Sequence, residues 1–196
     1  MRIEIPTPVG LAWADVDPGD GPLLALGHGA GGSVDTPDLL AIRTAATAAG
    51  ITIARITQPY RVEGKRAPAA APRLDAAWLA VLAVLRERLQ PRRVVVGGRS
   101  SGARVACRTA TAVGADAVVA LAFPLHPPGR PEKSRLAELE LPDVPVLVVQ
   151  GDRDAFGRPP AGPGRRILVI EGADHGLKKT TADIATAVID FVRDLA

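Results

Sequence analysis

The sequence predicts an α/β fold of three layers, a mostly parallel twisted sheet with helices on both faces. Two observations carry this expectation. Short β-branched runs alternate with segments of helical periodicity, the order of elements that builds such a sheet. One of these runs, Arg93 to Gly97, passes without a spacer into Gly98-Arg99-Ser100-Ser101-Gly102 and then into a helix. At 196 residues the chain has the size of one domain, 1–196, with minimal or no chain left for a lid.

Taken in order, the first 17 residues are expected to form an antiparallel edge hairpin. Leu23 to Gly27 reads as a strand that leaves into a glycine-rich loop, His28-Gly29-Ala30-Gly31-Gly32. Thr36 is placed to cap a helix that has Pro37 at its first position and Gly50 just beyond its end. Ile51 to Ile56 is the next strand. Gln58 to Pro72 carries three prolines and four charged residues and reads as a long loop at the edge of a cleft. Leu74, Trp78, Val81, Leu82, Leu85 and Leu89 then recur at helical spacing until Pro91 stops the pattern. After the strand at Arg93 a helix runs to Val113, with Gly114 at its end. Ala117 to Phe123, Val144 to Gln150 and Arg165 to Ile170 are three more strands, and Thr180 or Thr181 caps a last helix. Arg158 to Gly164 reads as a loop.

Composition narrows the classes of function. The longest apolar stretch, Ala76 to Leu85, falls far short of the roughly 20 residues that cross a bilayer, so no membrane association is expected. The N-terminus lacks the apolar core of a secretory signal, and the lone Cys107 allows no intrachain disulfide; both agree with a cytoplasmic location. A net charge of +3 comes from scattered arginines, and 3% aromatics leaves little for base stacking, so nucleic acid is not expected as a partner.

Gly98-x-Ser100-x-Gly102 between a strand and a helix is the strongest motif. A serine on so sharp a turn leaves no space for side chains two positions to either side. The turn lifts the hydroxyl above the strand ends, and the helix directs its N-terminus at the same spot. Ser101 fits this role less well, because Arg99 would then be its flanking residue.

A serine hydroxyl is nearly unreactive until a base takes its proton. Of three histidines, His175 lies in a short loop between the last strand and the last helix, where the chain order serine, acid, histidine places a base. His28 opens the glycine-rich loop and is expected to hold it by hydrogen bonds, and His126 could line the cleft. Asp152 and Asp154 follow the Val144 to Gln150 strand; Asp154, which reaches farther toward the cleft, is favoured as the acid that orients His175. The backbone amides of Ala30 and Ser101 are the candidate oxyanion donors. Arg61, Arg66, Arg99 and His126 are candidates for binding an anionic substrate. Three separated histidines and one distant cysteine form no metal-ligand cluster, and the proposed chemistry needs no cofactor.

Nearly the whole chain takes part in a family resemblance. It runs from His28 to Gly32 through Gln58-Pro59-Tyr60-Arg61, Gly64-Lys65-Arg66 and Gly97 to Ala106. It continues in Phe123 to Gly129, Pro131-Glu132-Lys133, Gln150 to Gly157 and Asp174-His175. On these motifs the sequence resembles the α/β-hydrolase superfamily, and within it the dienelactone-hydrolase-like branch that includes a testis-expressed protein and a subunit of a chromatin-modifying complex. The resemblance implies Ser100 as nucleophile, Asp154 as acid and His175 as base. Ser101 and Gly176 stand where the family pattern often has methionine and serine.

The expected activity is therefore that of a serine hydrolase acting through an acyl-enzyme on a small-molecule ester, thioester or other activated acyl substrate. Amidase or perhydrolase-like chemistry is a variant of the same triad. A hydrolase-fold binding or scaffold protein without turnover is the competing expectation, and a homodimer is the candidate assembly.

Overall fold

A computed structural model describes residues 1–195. Its core is an eight-stranded sheet in the order β1-β2-β4-β3-β5-β6-β7-β8. β1 (Arg2–Thr7) and β2 (Gly10–Asp17) form the expected antiparallel hairpin, and β2 joins the sheet antiparallel to β4 (Thr52–Thr57). All later pairings are parallel: β3 (Leu23–Gly27) lies between β4 and β5 (Val94–Arg99). β6 (Ala117–Leu121), β7 (Val146–Gly151) and β8 (Arg165–Ile170) follow outward.

The strands β3 to β7 are buried throughout except at Arg99, the last residue of β5, and their alternate residues feed two separate cores. Leu23, Ala25, Val94, Val96, Val118 and Ala120 face a core shared with α3 (Ala71–Leu89) and α4 (Ser101–Val113). Leu24, Leu26, Val95, Val119, Leu147 and Val149 face the other, shared with α1 (Pro37–Ala48) and α6 (Thr181–Arg193). This is the three-layer arrangement that the alternation of patterns predicts. Among the described residues no lid domain covers the sheet's C-terminal edge.

Gln58 to Pro72 is shorter as a loop than its composition implies. Pro59 opens a one-turn helix, α2 (Pro59–Val62), and Pro72 lies in the first turn of α3. Proline lacks only an N–H that a first helical turn leaves unpaired in any case, so these prolines start helices here. A second short helix, α5 (Leu136–Leu139), lies in the connection between β6 and β7 and has no counterpart in the sequence reading.

Two expected side-chain caps are absent. Thr36 and Thr180 are the N-cap residues, but their carbonyls, rather than their hydroxyls, accept the first helical bonds, from Leu40 and Ile184. The Thr180 hydroxyl donates instead to the Lys179 carbonyl at 2.8 Å. Gly114 ends α4 in a left-handed conformation as expected, and α3 ends at Leu89, with Gln90 left-handed before Pro91.

β3, β5 and α4 approach closely at glycine. A Cβ on Gly102 would lie 2.6 Å from the Gly27 carbonyl oxygen and 2.9 Å from that of His28. A Cβ on Gly98 would meet the same Gly27 oxygen at 2.6 Å. Alanine is intrinsically the better helix former by about 1 kcal/mol, yet here it would push α4 off the sheet. Gly102→Ala is therefore expected to destabilise the fold by about 1–3 kcal/mol in urea denaturation. Gly31→Ala, where nothing lies within 4 Å of the new methyl group, is expected to be close to neutral.

Candidate active site

The turn that ends β5 holds Ser100 at φ 53° and ψ −109°, a conformation that an L-residue adopts only under constraint. Two backbone bonds hold it: the Ser100 amide donates to the Leu121 carbonyl at 2.9 Å, and its carbonyl accepts from Arg104 at 3.2 Å. Together with the clearance at Gly98 and Gly102, they place the hydroxyl at the C-terminal edge of the sheet, partly exposed.

His175 meets it from the loop after β8. Its Nε2 lies 2.9 Å from Ser100 Oγ, and its Nδ1 lies 2.8 Å from Asp154 Oδ2. A carboxylate can only accept, so Nδ1 carries the proton and Nε2 is left with its lone pair toward the serine. Asp154 thus supplies the carboxylate, while Asp152 is exposed and has no hydrogen bond to the histidine. Asp174, adjacent to His175, accepts from the Gly176 amide at 2.8 Å and serves its own turn.

The acid and base loops are laced together. The Arg153 amide donates to the Ala173 carbonyl at 3.0 Å, and Gly151 must be glycine because a Cβ there would run into the same carbonyl. The Asp154 side chain is fully shielded from solvent. It accepts from the Phe156 amide at 2.8 Å and from Gln150 Nε2 at 2.7 Å. Gln150 Nε2 also lies 2.9 Å from the Gly157 carbonyl. Phe156 covers the imidazole, with ring centroids 4.2 Å apart and planes tilted by 33°.

The glycine-rich loop runs beside the elbow: a Cβ on Gly29 would lie 3.5 Å from Ser100 Cβ. His28 is buried and holds this loop, as the sequence predicts. Its Nδ1 donates to the Gly29 carbonyl at 2.7 Å, and its Nε2 accepts from the Gln58 amide at 3.1 Å. Tyr60 adds a bond that the sequence reading missed, donating from its hydroxyl to the Ala30 carbonyl at 2.6 Å. Burial pushes the Tyr60 pKa up to about 12, so the hydroxyl keeps its proton. The Ala30–Gly31 peptide is therefore anchored through its oxygen by Tyr60, and the Gly29–Ala30 peptide, which carries the Ala30 N–H, through the Gly29 oxygen by His28.

The candidate anion-binding residues are placed differently from one another. Arg61 donates to the Lys65 carbonyl at 2.9 Å, and Arg66 is exposed. Arg99 is occupied within the protein, paired with Asp38 and donating to the His175 carbonyl. His126 is half-buried against Gly157, its Nδ1 donating to the Pro127 carbonyl at 2.9 Å. Cys107 is buried, and burial raises its pKa to about 12, so it carries no thiolate at neutral pH. Among the described residues no group of three His, Cys, Asp or Glu side chains is positioned to hold a metal ion, and no helix is long and apolar enough to cross a membrane.

Gln150, Phe156 and Tyr60 are the site residues that the sequence reading did not single out for a role. Gln150 left one signal, as a polar side chain at the end of an otherwise apolar buried strand. Phe156 and Tyr60 are scarce aromatics beside the candidate acid and in the proline-rich segment.

Comparison with known proteins bears on the family and the fold. Residues 20–190 match the family model described as an alpha/beta hydrolase domain. The fold is similar to that of a lidless α/β serine hydrolase from Xanthomonas campestris, at TM-score 0.77 and 22% identity, covering 99% of this chain and 94% of that one. It is also similar to Est1E from Butyrivibrio proteoclasticus, solved with ferulic acid bound, at TM-score 0.80 and 17% identity, with 98% of each chain covered. A dienelactone hydrolase from Anabaena variabilis aligns at TM-score 0.74 and 17% identity, over 100% of this chain and 95% of that one. A search of curated protein sequences finds no match. The structural likenesses show the fold and the family match shows the superfamily; the testis-expressed sub-branch stays a resemblance of sequence motifs.

The burial of His28 makes stability depend on pH. Desolvation holds its pKa below the ordinary 6.5. As pH falls through 6.5, the unfolded chain takes up a proton that the folded chain refuses, and stability is lost until the folded pKa is reached. Thermal denaturation between pH 7.5 and 5 should show this loss, and His28→Asn should flatten it. On the match over residues 20–190, the chain belongs to the α/β hydrolase domain family.

Proposed function

We propose that the protein is a serine hydrolase of small ester, thioester or similarly activated acyl compounds. The observation that carries this reading is the unbroken relay from Asp154 through His175 to Ser100, at 2.8 and 2.9 Å, on a backbone strained at Ser100. Strain of this kind costs about 1–3 kcal/mol and persists only where the surroundings enforce it.

In this mechanism His175 Nε2 takes the Ser100 proton as the oxygen attacks the acyl carbon. The imidazolium formed is stabilised by Asp154, whose carboxylate is fixed by Gln150 and the Phe156 amide. The amides of Ala30 and Ser101 receive the oxyanion, and His28, bonded to the Gly29 carbonyl of the same peptide unit as the Ala30 N–H, keeps the first of these from turning away. His175 then protonates the leaving group. Water, deprotonated by the same nitrogen, releases the acid from the acyl-enzyme. An open site without a lid suits compact or terminally exposed acyl groups rather than long chains that need an enclosed tunnel.

Turnover of p-nitrophenyl acetate tests the reading. Ser100→Ala and His175→Ala are expected to lower kcat/KM by at least about 10³-fold, and Asp154→Asn by a comparable factor through loss of the imidazole tautomer. A folded wild type with no turnover of acetyl, butyryl or thioester substrates would contradict it and favour a binding or scaffold role.

A further inference from the structure

Arg99 precedes the nucleophile, yet its side chain runs away from the substrate side. The guanidinium donates through Nη2 to the backbone carbonyl of His175 at 2.5 Å. Its Nε lies 3.1 Å from Asp38 Oδ2. A Cβ on Gly29 would touch Nη1 at 3.5 Å, so the same group also lies against the glycine-rich loop.

Asp38 is completely buried in the first turn of α1, and neither of its oxygens has a hydrogen-bond partner. A carboxylate so placed is expensive unless a cation and a helix N-terminus compensate it. Arg99, only 14% exposed at its side chain, is the cation that does so. The pair is not needed to close the sheet: β3, β4 and β5 are joined by their own backbone ladders. What it spans is the gap between three segments that arrive separately from the chain: the elbow, the Gly29 loop and the His175 loop.

We infer that Asp38 and Arg99 form a clamp beneath the active site, with Arg99 a positioning residue that holds His175 in register with Ser100. The inference rests on the serine-hydrolase reading for its catalytic consequence. It also assigns Arg99 an internal role instead of anion binding. A planar guanidinium can meet the carboxylate, the carbonyl and the loop at once. A lysine ammonium is a single point of charge and cannot span all three.

Arg99→Lys therefore keeps a cation for Asp38 and should fold, but should release the His175 carbonyl. The Asp38→Asn/Arg99→Gln double variant removes both charges together and leaves no bare buried ion. Arg43→Gln, on the same helix as Asp38 but away from the site, breaks an ion pair with Asp17 of β2 and is the control. Each folded protein is assayed for kcat and KM on p-nitrophenyl acetate and for amide hydrogen exchange in the peptide covering 172–177.

The clamp predicts a kcat lower by about 10- to 100-fold in both Arg99 variants, as for a sub-ångström to 1 Å displacement of a reacting group. KM should change less than about threefold, exchange in that peptide should rise about tenfold or more, and Arg43→Gln should match the wild type. Active wild type with unchanged kcat and exchange in a folded Arg99→Lys or double variant would overturn the clamp. An inactive wild type would defeat the functional reading instead, and the exchange rates alone would then decide whether Arg99 holds the His175 loop.

Discussion

The site depends on how closely α4 can start against the two strands beside it. Gly98 and Gly102 each present a hydrogen where a methyl group would strike the carbonyl oxygen of Gly27. That clearance lets β5 turn into α4 with a single residue at the corner, and the corner residue, Ser100, takes up the strain at φ 53°. The hydroxyl is fixed by backbone geometry rather than by rotamer choice alone. Packing on both faces of the sheet resists relaxation of the turn, since β5 lies between the cores built on α3 and α4 and on α1 and α6.

Around that corner the polar groups that matter for chemistry are held from behind. Gln150 and the Phe156 amide hold Asp154, Asp154 holds His175, and Tyr60 and His28 hold the Gly29–Ala30 loop. Arg99 and Asp38 join the elbow to the His175 loop. Each partner is itself half-buried or buried, where hydrogen bonds to charged groups are worth more than in water. In the proposed mechanism this arrangement sets His175 before substrate arrives, which reduces the reorganisation that the reaction would otherwise have to supply.

Much of this was legible in the residues. Gly98-x-Ser100-x-Gly102 between strand and helix located the turn because steric demand leaves a mark in composition. Chain order located His175, and the end of a buried strand located Asp154. Helix starts were less legible. Pro59 and Pro72 signal a break in the chain, but only packing decides whether a break is a loop or a first helical turn. Arg99 is the clearest case of what sequence does not carry. An arginine beside a candidate nucleophile reads as an anion binder until its partner is known. That partner, Asp38, lies 61 positions earlier in the chain, in a helix whose own periodicity gives no sign of a buried carboxylate.

The most direct test of the central claim is covalent labelling of the purified protein with a fluorophosphonate, followed by peptide mass spectrometry to locate the adduct. The relay predicts a single stoichiometric adduct on Ser100, lost when His175 is replaced by alanine. An unlabelled, well-folded protein, or an adduct on Ser101 or another hydroxyl that persists without His175, would contradict an activated nucleophile at this turn.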